Sequence, residues 1–328
     1  MVLVTALRQG IDPTSTTYNS YPIDIKDPKY GPIKVKTYDG SYGGVMNLVR
    51  ATLRSDNSVY IQLALDVGPE NVRKTARLLG ITSHLDGYPG EGLGGLKYGV
   101  SPLEMAGAYA TLAAGGIRSR PIAIDKVDFP NGSVQQIGRQ KRERVISDGV
   151  AREATDILEQ NVLGGTGVKA RIDCPAAGKT GTTDNFKDAW FVGFTPSMSS
   201  SVWVGYPNGG VEMRSVHGIA VAGGTFPAQI WHDYMVRAIG GHCKAWLKPL
   251  DPFSGKAFSG NYGKKGKLVA APTEKTTDKK KKKKNNDKGD TQPTTPPDTN
   301  GGDPKPGDTP PPVGKPDDNT GAIEPRKL

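Results

Sequence analysis

Residues 177–205 read AGKTGTTDNFKDAWFVGFTPSMSSSVWVG and give the clearest indication of the fold. Three short runs in this stretch are rich in small, β-branched and aromatic residues, as strands are, and Asp184-Asn185 and Pro196 separate them with residues that favour turns. The three runs are 177–182, 189–194 and 201–205. Consecutive strands with short connections predict a small antiparallel sheet.

Helical patterns precede this sheet, and one more follows it. Apolar residues recur at helical spacing, and residues 101–104, SPLE, form a capping box with proline at the first helical position. The predicted helices are 44–53, 58–66, 69–79, 101–114, 147–162 and 227–239. A hairpin is predicted around 130–133, PNGS. Helices first and strands later predict an α+β domain, with a helical block packed against an antiparallel sheet and the last helix covering the sheet.

The composition changes from residue 248 onward to Lys, Pro, Asp, Thr, Gly and Asn, including the lysine run 279–284. Such a segment has too little apolar surface to offset chain entropy, so the sequence predicts a folded domain over 1–247 and a disordered tail over 248–328. The tail holds 17 Lys and Arg against 11 Asp and Glu, and it supplies most of the formal charge of +10. It could bind anionic wall polymers, or it could be a solvated linker; nucleic acid is not the partner we expect.

Lys179-Thr180-Gly181 is the most informative tripeptide. A phosphate-binding loop would need glycine five residues before Gly178, where Asp173 stands, and a helix after the lysine, where strands are predicted. The alternative is a strand whose lysine places a positive charge beside a nucleophile, with small residues that let a peptide pair with the strand edge.

Ser55-Asp56-Asn57 lies in the tight connection between two predicted helices. Taken alone, the triplet is explained by helix capping, because all three residue types favour caps. Ser-Asp-Asn followed by Lys-Thr-Gly, however, is the motif pair of enzymes that use a serine nucleophile. The pair therefore favours a catalytic interpretation.

Several further blocks accompany the two motifs in the same order. They are 37–44 (TYDGSYGG), 99–106 (GVSPLEMA), 165–167 (GTG) and 187–196 (KDAWFVGFTP). Together they resemble the transpeptidase domain of class A, bifunctional penicillin-binding proteins, and the resemblance runs from residue 1 to about 231. It implies the fold shared by β-lactamases and transpeptidases. It also implies that a serine acyl-enzyme cross-links peptidoglycan stem peptides ending in D-Ala-D-Ala, and that β-lactam antibiotics trap that acyl-enzyme.

The resemblance assigns roles to residues of both motifs. Ser55 would relay a proton, Asn57 would hold the substrate amide, and Lys179 would keep the site positive. Asp56 would point away from the site. The residues that would line the peptide and its carboxylate are Thr180, Gly181, Thr182 and Thr183. Thr182 would also offer its backbone N–H to an oxyanion.

One motif of the family is missing. Ser-x-x-Lys should supply the nucleophile and its base, and none of the serines here has lysine three positions later. We therefore expect an N-terminally truncated chain that lacks the nucleophile and is inactive as it stands. The alternative is a non-catalytic module that binds peptidoglycan or wall polymers. A β-lactamase is disfavoured, because no Glu-x-x-x-Asn lies between Ser55 and Lys179 to activate water.

The spacing of the cysteines and histidines indicates whether the protein could bind a metal. The two cysteines, Cys174 and Cys243, and the four histidines show no metal-ligand spacing, so we predict neither a metal nor a cofactor. In an oxidising compartment the cysteines could form one disulfide; separate thiols are the alternative.

No stretch reaches the roughly 18 apolar residues of a membrane span. The resemblance places the full-length parent at the extracytoplasmic face of the bacterial cell membrane.

Overall fold

The computed structural model describes residues 1–266 of the 328. Its α-helices within that part are α1 (Val2–Arg8), α2 (Leu48–Arg54), α3 (Asn57–Val67), α4 (Pro69–Leu79), α5 (Pro102–Ala113), α6 (Asp148–Gly164) and α7 (Phe226–Ile239). Its strands are β1 (Thr16–Ser20), β2 (Ile23–Asp27), β3 (Gly31–Val35), β4 (Gly44–Asn47), β5 (Ile117–Ser119), β6 (Lys126–Asp128), β7 (Val134–Gln136), β8 (Arg142–Arg144), β9 (Ala177–Thr182), β10 (Asp188–Phe194), β11 (Ser199–Gly205) and β12 (Lys264–Lys265).

The predicted sheet is confirmed as an antiparallel meander in the order β9-β10-β11, with Val192 opposite Lys179. The two faces of this sheet pack against different apolar clusters. Phe194 joins the large apolar cluster that includes residues of α5 and α6, whereas Phe191 packs against Trp231 of α7 at 5.3 Å between ring centroids. The α+β architecture is therefore confirmed, with α7 covering one face of the sheet.

Helix α1 lies at the centre of the helical block. All six residues 2–7 are buried, and five of them are apolar, as expected for a helix that is enclosed on every side. The hydroxyl of the sixth, Thr5, donates to the carbonyl oxygen of Met1 at 3.0 Å. It packs against α3, α4 and α6. Leu3, Val4 and Leu7 belong to one of the two larger apolar clusters, and Val2 and Ala6 belong to the other. Helix α1 therefore joins the two halves of the core.

The helix predicted over 44–53 is wrong in its first turn. Residues 44–47 form β4, which pairs with β1, and helix α2 begins only at Leu48. The side chain of Asn47 accepts a hydrogen bond from the backbone N–H of Arg50 at 3.0 Å. This N-cap fixes the start of the helix, because the cap residue itself is extended. The capping box at Ser101 and the hairpin of β6 and β7 are confirmed.

The predicted domain boundary at residue 247 is too early. Strand β12 pairs with β1, and the carboxylate of Asp66 accepts backbone N–H groups from Asn261 and Gly263 at 3.0 and 2.8 Å. Phe258 packs against the apolar cluster formed partly by α1 and α3. Widely spaced aromatic residues and backbone pairing thus fix a segment whose average composition is polar. Residues 267–328, which hold the rest of the predicted tail, lie outside the described part.

Cys174 and Cys243 form a disulfide across 69 residues. It connects the segment before β9 to the segment after α7. By the chain-entropy account, closing a loop of this size stabilises the folded state by roughly 4 kcal/mol. The sequence left a disulfide and two separate thiols as alternatives, and the structure contains the disulfide.

We predict that Phe258→Ala lowers the free energy of unfolding by about 2 kcal/mol, since it removes a partly buried ring from the core cluster. Leu250→Ala is the matched control, because Leu250 is 95% exposed, and its effect should stay within about 0.5 kcal/mol. Urea denaturation of the two variants measures both values. Equal effects would show that the segment after residue 247 does not belong to the folded domain.

Candidate functional site

A pocket of about 200 Å³ opens between the connection of α2 to α3 and strand β9. Polar side chains of Ser55, Asn57 and Lys179 line it, and its deeper wall is apolar, with Leu112 and Leu158 among the lining residues. The pocket therefore brings the two sequence motifs together. It combines a few polar groups with an apolar wall, as small-molecule sites commonly do.

Ser55 occupies a strained position at the end of α2. Its φ and ψ of 53° and 45° lie in the left-handed region, which costs a non-glycine residue about 1 kcal/mol or more. The strain persists because Asp56, the N-cap residue of α3, follows directly. The buried carboxylate of Asp56 accepts from the backbone N–H of Val59 at 3.0 Å and from the hydroxyl of Ser20 at 2.6 Å. Asp56 therefore caps a helix, and it turns Ser55 toward the pocket.

Lys179 reaches across the pocket to this serine. Its ammonium donates to the hydroxyl oxygen of Ser55 at 2.7 Å and to the carbonyl oxygen of Thr180 at 3.1 Å. Among residues 1–266 no carboxylate lies within ion-pair distance of Lys179. Desolvation without a compensating charge lowers the pKa of Lys179 to about 8 from its ordinary 10.5. The site is thus positive near neutral pH and becomes neutral in mildly alkaline solution.

Asn57 stands at the first residue of α3, half-buried beside the pocket. Its side-chain amide donates a long hydrogen bond of 3.4 Å to the carbonyl oxygen of Lys36. This contact holds the amide group at the loop before β4. The amide's carbonyl oxygen has no donor within residues 1–266, and it can accept from a bound molecule.

The residues after Lys179 divide into two groups. Thr180, Gly181 and Thr182 line the pocket, whereas Thr183 does not. The hydroxyl of Thr183 instead accepts from the backbone N–H of Asp188 at 2.8 Å, within the turn between β9 and β10. Of the predicted site residues, Thr183 is therefore the one that the pocket does not include.

The hydroxyls of the two remaining threonines are held by neighbouring segments. Thr180 and Thr166 share a hydroxyl–hydroxyl hydrogen bond of 2.7 Å. The hydroxyl of Thr182 accepts from the backbone N–H of Gly223 at 3.0 Å. A Cβ at Gly223 would lie 2.3 Å from the carbonyl oxygen of Trp190, so only glycine allows this segment to approach the strand. Thr182 keeps its own proton available for a ligand.

Sequence reasoning missed Asn161, which organises the base of strand β9. This fully buried side chain donates to the carbonyl oxygen of Gly178 at 2.9 Å and accepts from the backbone N–H of Thr166 at 3.1 Å. It thereby links α6, the Gly-Thr-Gly segment and the strand that carries Lys179. The available signal was the segment 165–167, whose small residues allow a polar side chain to approach the backbone closely.

Two tyrosines of the pocket wall were also missed. Tyr60 and Tyr109 both line the pocket, and burial raises the pKa of Tyr109 to about 12. The hydroxyl of Tyr60 is hydrogen-bonded to that of Thr52. Both tyrosines therefore stay neutral across the physiological range and shape the wall instead of supplying charge. Nothing in their sequence spacing distinguishes them from ordinary helix residues.

The polar groups of the pocket are suited to two chemical tasks. A desolvated ammonium beside a hydroxyl and an amide can attract an anion, and it can pass a proton through Ser55. Strand β9 is the edge strand of its sheet, where an extended peptide can pair with backbone groups. The carbonyl oxygens of Gly178 and Thr180 already accept from Asn161 and Lys179, so such a peptide would use the remaining groups. No helix within residues 1–266 has the length and apolar character that crossing a bilayer requires.

Comparison with known proteins identifies the family. The sequence matches the family described as "Penicillin binding protein transpeptidase domain" over residues 1–210. Penicillin-binding protein 1A of Aquifex aeolicus is 34% identical over 242 residues, which is 72% of this chain and 31% of that protein. Penicillin-binding protein 1A of Mycobacterium tuberculosis is 32% identical over 264 residues, covering 73% of this chain and 31% of the relative. The chain thus spans about a third of these relatives.

Solved structures agree with the sequence comparison. The PonA1 protein of Mycobacterium tuberculosis in complex with penicillin V aligns with a TM-score of 0.65 and 30% identity, over 79% of this chain and 72% of that one. Penicillin-binding protein 1A from Haemophilus influenzae aligns with a TM-score of 0.67 at 23% identity, over 82% and 46% of the two chains. The transpeptidase-like fold expected from the sequence is confirmed.

We predict that Lys179→Met raises the free energy of unfolding by up to about 3 kcal/mol at pH 7, because it removes a desolvated charge. The sign of the pH dependence follows from the lowered pKa. Between pH 8 and 10.5 the unfolded chain holds the proton that the folded chain has released, so wild-type stability rises relative to the variant.

Urea denaturation from pH 7 to pH 10 measures this difference, which should shrink as the pH rises. The exposed Lys169→Met is the matched control and should show no comparable trend. A destabilised Lys179→Met with a constant difference would contradict a lowered pKa.

Proposed function

Since the chain belongs to the penicillin-binding protein transpeptidase family, we propose that its pocket is the proton-relay and carboxylate side of a D,D-transpeptidase site. Once supplied with its nucleophile, this site would cross-link peptidoglycan stem peptides through a serine acyl-enzyme. The hydrogen bond of 2.7 Å between the Lys179 ammonium and the Ser55 hydroxyl carries the proposal. It joins two motifs that lie 124 residues apart in the sequence.

Each residue of the pocket mouth has a role in this proposal. Ser55 passes a proton between the reacting amine and the base that accompanies the nucleophile. The positive charge of Lys179, beside the Ser55 hydroxyl, influences where that proton resides. Asn57 holds the substrate's backbone amide through its carbonyl oxygen. These roles fit the positions of the side chains around a single pocket.

The substrate peptide would pair with the outer edge of β9. Thr180, Gly181 and Thr182 would lie along it, and the Thr182 hydroxyl would donate to the terminal carboxylate. The backbone N–H of Thr182 would stabilise the oxyanion. Thr183 would support the strand through its bond to Asp188 and would not touch the substrate. β-Lactams imitate the D-Ala-D-Ala end and would occupy the same place; the similarity to PonA1, which was solved in complex with penicillin V, supports this.

We further propose that the nucleophile is not among these 328 residues, because no Ser-x-x-Lys occurs in the sequence. Met1 lies at the pocket, close enough for its amino group to feel the charge of Lys179. The start of α1 therefore lies beside Ser55 and Lys179 in the proposed site. Loss of the nucleophile removes most of the rate enhancement of such enzymes, so the chain alone would bind but not turn over.

A second candidate is a non-catalytic module that binds peptidoglycan. Its support is that the carboxylate side of the pocket is complete without the nucleophile, with Lys179 and Thr182 both in place. The basic sequence beyond residue 266, which lies outside the described part, would add affinity for anionic wall polymers. Either function would place the protein at the extracytoplasmic face of the bacterial membrane.

We predict that reversible binding of benzylpenicillin by this chain weakens about fivefold from pH 8 to pH 9, as Lys179 loses its proton. Lys179→Met should bind weakly at every pH, and Lys169→Met should behave as the wild type. Isothermal titration calorimetry gives the affinities. Binding that is independent of pH in the wild type would rule out Lys179 as the carboxylate partner.

The two candidate functions differ in covalent chemistry. Intact-mass spectrometry after incubation with benzylpenicillin should find the wild-type chain unmodified. We then expect a chain extended by a helical Ser-x-x-Lys segment directly before Met1 to gain one acyl group. An unmodified extended chain with native circular dichroism would favour the binding module, and an adduct on the original chain would refute the missing nucleophile.

A further inference from the structure

A second concave site lies where the end of α1, the length of α4 and strand β5 meet. It encloses about 710 Å³, and Leu78 is the single apolar residue among those that line it. Its five cationic lining residues are Arg8, Arg73, Lys74, Arg77 and Arg118. None of them lines the pocket of Ser55 and Lys179. The positive charge therefore marks a site separate from the proposed catalytic one.

Two of the cations have carboxylate partners. Arg73 pairs with Glu70 at 2.8 Å, and Arg118 pairs with Glu143 at 3.2 Å. Both carboxylates are largely open to solvent, with exposed fractions of 42% and 59%. Water screens such pairs strongly, so they neutralise the cavity only in part.

The other three cations remain uncompensated in the part of the chain that the structure describes. No carboxylate within residues 1–266 lies at ion-pair distance from Arg8, Lys74 or Arg77. Like charges gathered around one cavity repel each other, and a multivalent anion relieves that repulsion. The cavity thus has the charge that suits a multivalent anion.

The guanidinium groups are held in position by neutral acceptors. Arg8 donates through Nη1 to the hydroxyl oxygen of Thr75 at 2.7 Å, and Arg77 donates through Nη1 to the carbonyl oxygen of Ile81 at 2.9 Å. Each bond uses one of five N–H groups and leaves the rest for a ligand. The arginines are thus oriented before any ligand arrives.

Hydrogen bonds within the fold account for some of the five cationic residues but not for all of them. Arg118 donates to the carbonyl oxygens of Arg77 and Leu78 at 3.2 and 3.1 Å, which satisfies the C-terminal end of α4. Lys74, by contrast, is exposed and has no side-chain hydrogen bond within residues 1–266. Helix capping therefore does not account for Lys74.

We propose that this cavity binds the phosphate groups of a multivalent anion. Arginine forks match the geometry of phosphate oxygens, and repeated phosphates supply several charges within the length of one cavity. The volume exceeds what a single phosphate needs. The phosphate could belong to a soluble polymer or to a lipid headgroup. The proposal stands independently of the proposed transpeptidase function.

The test uses the full chain, so the basic tail contributes equally to every variant. The double variant Arg8→Gln with Lys74→Glu should bind oligomeric glycerol phosphate at least about tenfold more weakly than the wild type by calorimetry. Lys169→Glu, which changes an exposed lysine outside the cavity, should bind as the wild type does. Lys74→Glu alone should show a smaller loss with an unchanged melting temperature, since it removes no internal bond.

Flotation with phosphatidylglycerol vesicles distinguishes the two sources of phosphate. A loss confined to the soluble oligomer assigns the cavity to a polymer, and a loss confined to vesicles assigns it to a lipid headgroup. Both results support a phosphate site. Binding of both probes by the double variant at wild-type affinity, with its fold intact, would overturn the proposal and leave the tail as the only anion-binding part.

Discussion

The hydrogen bond between the Lys179 ammonium and the Ser55 hydroxyl is the constraint on which the rest of the site depends. It requires a charged group in a desolvated pocket and a serine in a left-handed conformation, and both are unfavourable on their own. Neither would persist without contacts from the surrounding fold that hold it in place.

Those contacts come from three directions. Asp56 caps α3 and fixes the turn that presents Ser55. Asn161 holds the base of β9 by bonding to Gly178. Helix α1 fills the centre of the core, and its first residues reach the pocket. Because these contacts are buried, the site is held rigidly, and its strain is offset by packing elsewhere.

The sequence predicted the meander, most of the helices and the capping box, because these depend on local periodicity and turn residues. It located Ser55, Asn57 and Lys179 through a resemblance of ordered motifs, since no local rule brings residues so distant in sequence together. It missed Asn161, which looks like any polar helix residue until its buried partners are known. It also placed the domain boundary too early, because composition averages hid the contacts of Phe258 and of the Asp66 carboxylate.

Lys179 is a desolvated cation, and we propose that the carboxylate of a ligand pairs with it. Titration of the Lys179 Nζ by heteronuclear NMR, with the signal assigned by its loss in Lys179→Met, measures both properties. Under this proposal we expect a pKa of about 8 in the unliganded chain and a higher pKa when a peptide ending in D-Ala-D-Ala is bound. A pKa near 10.5 that the peptide leaves unchanged would contradict it.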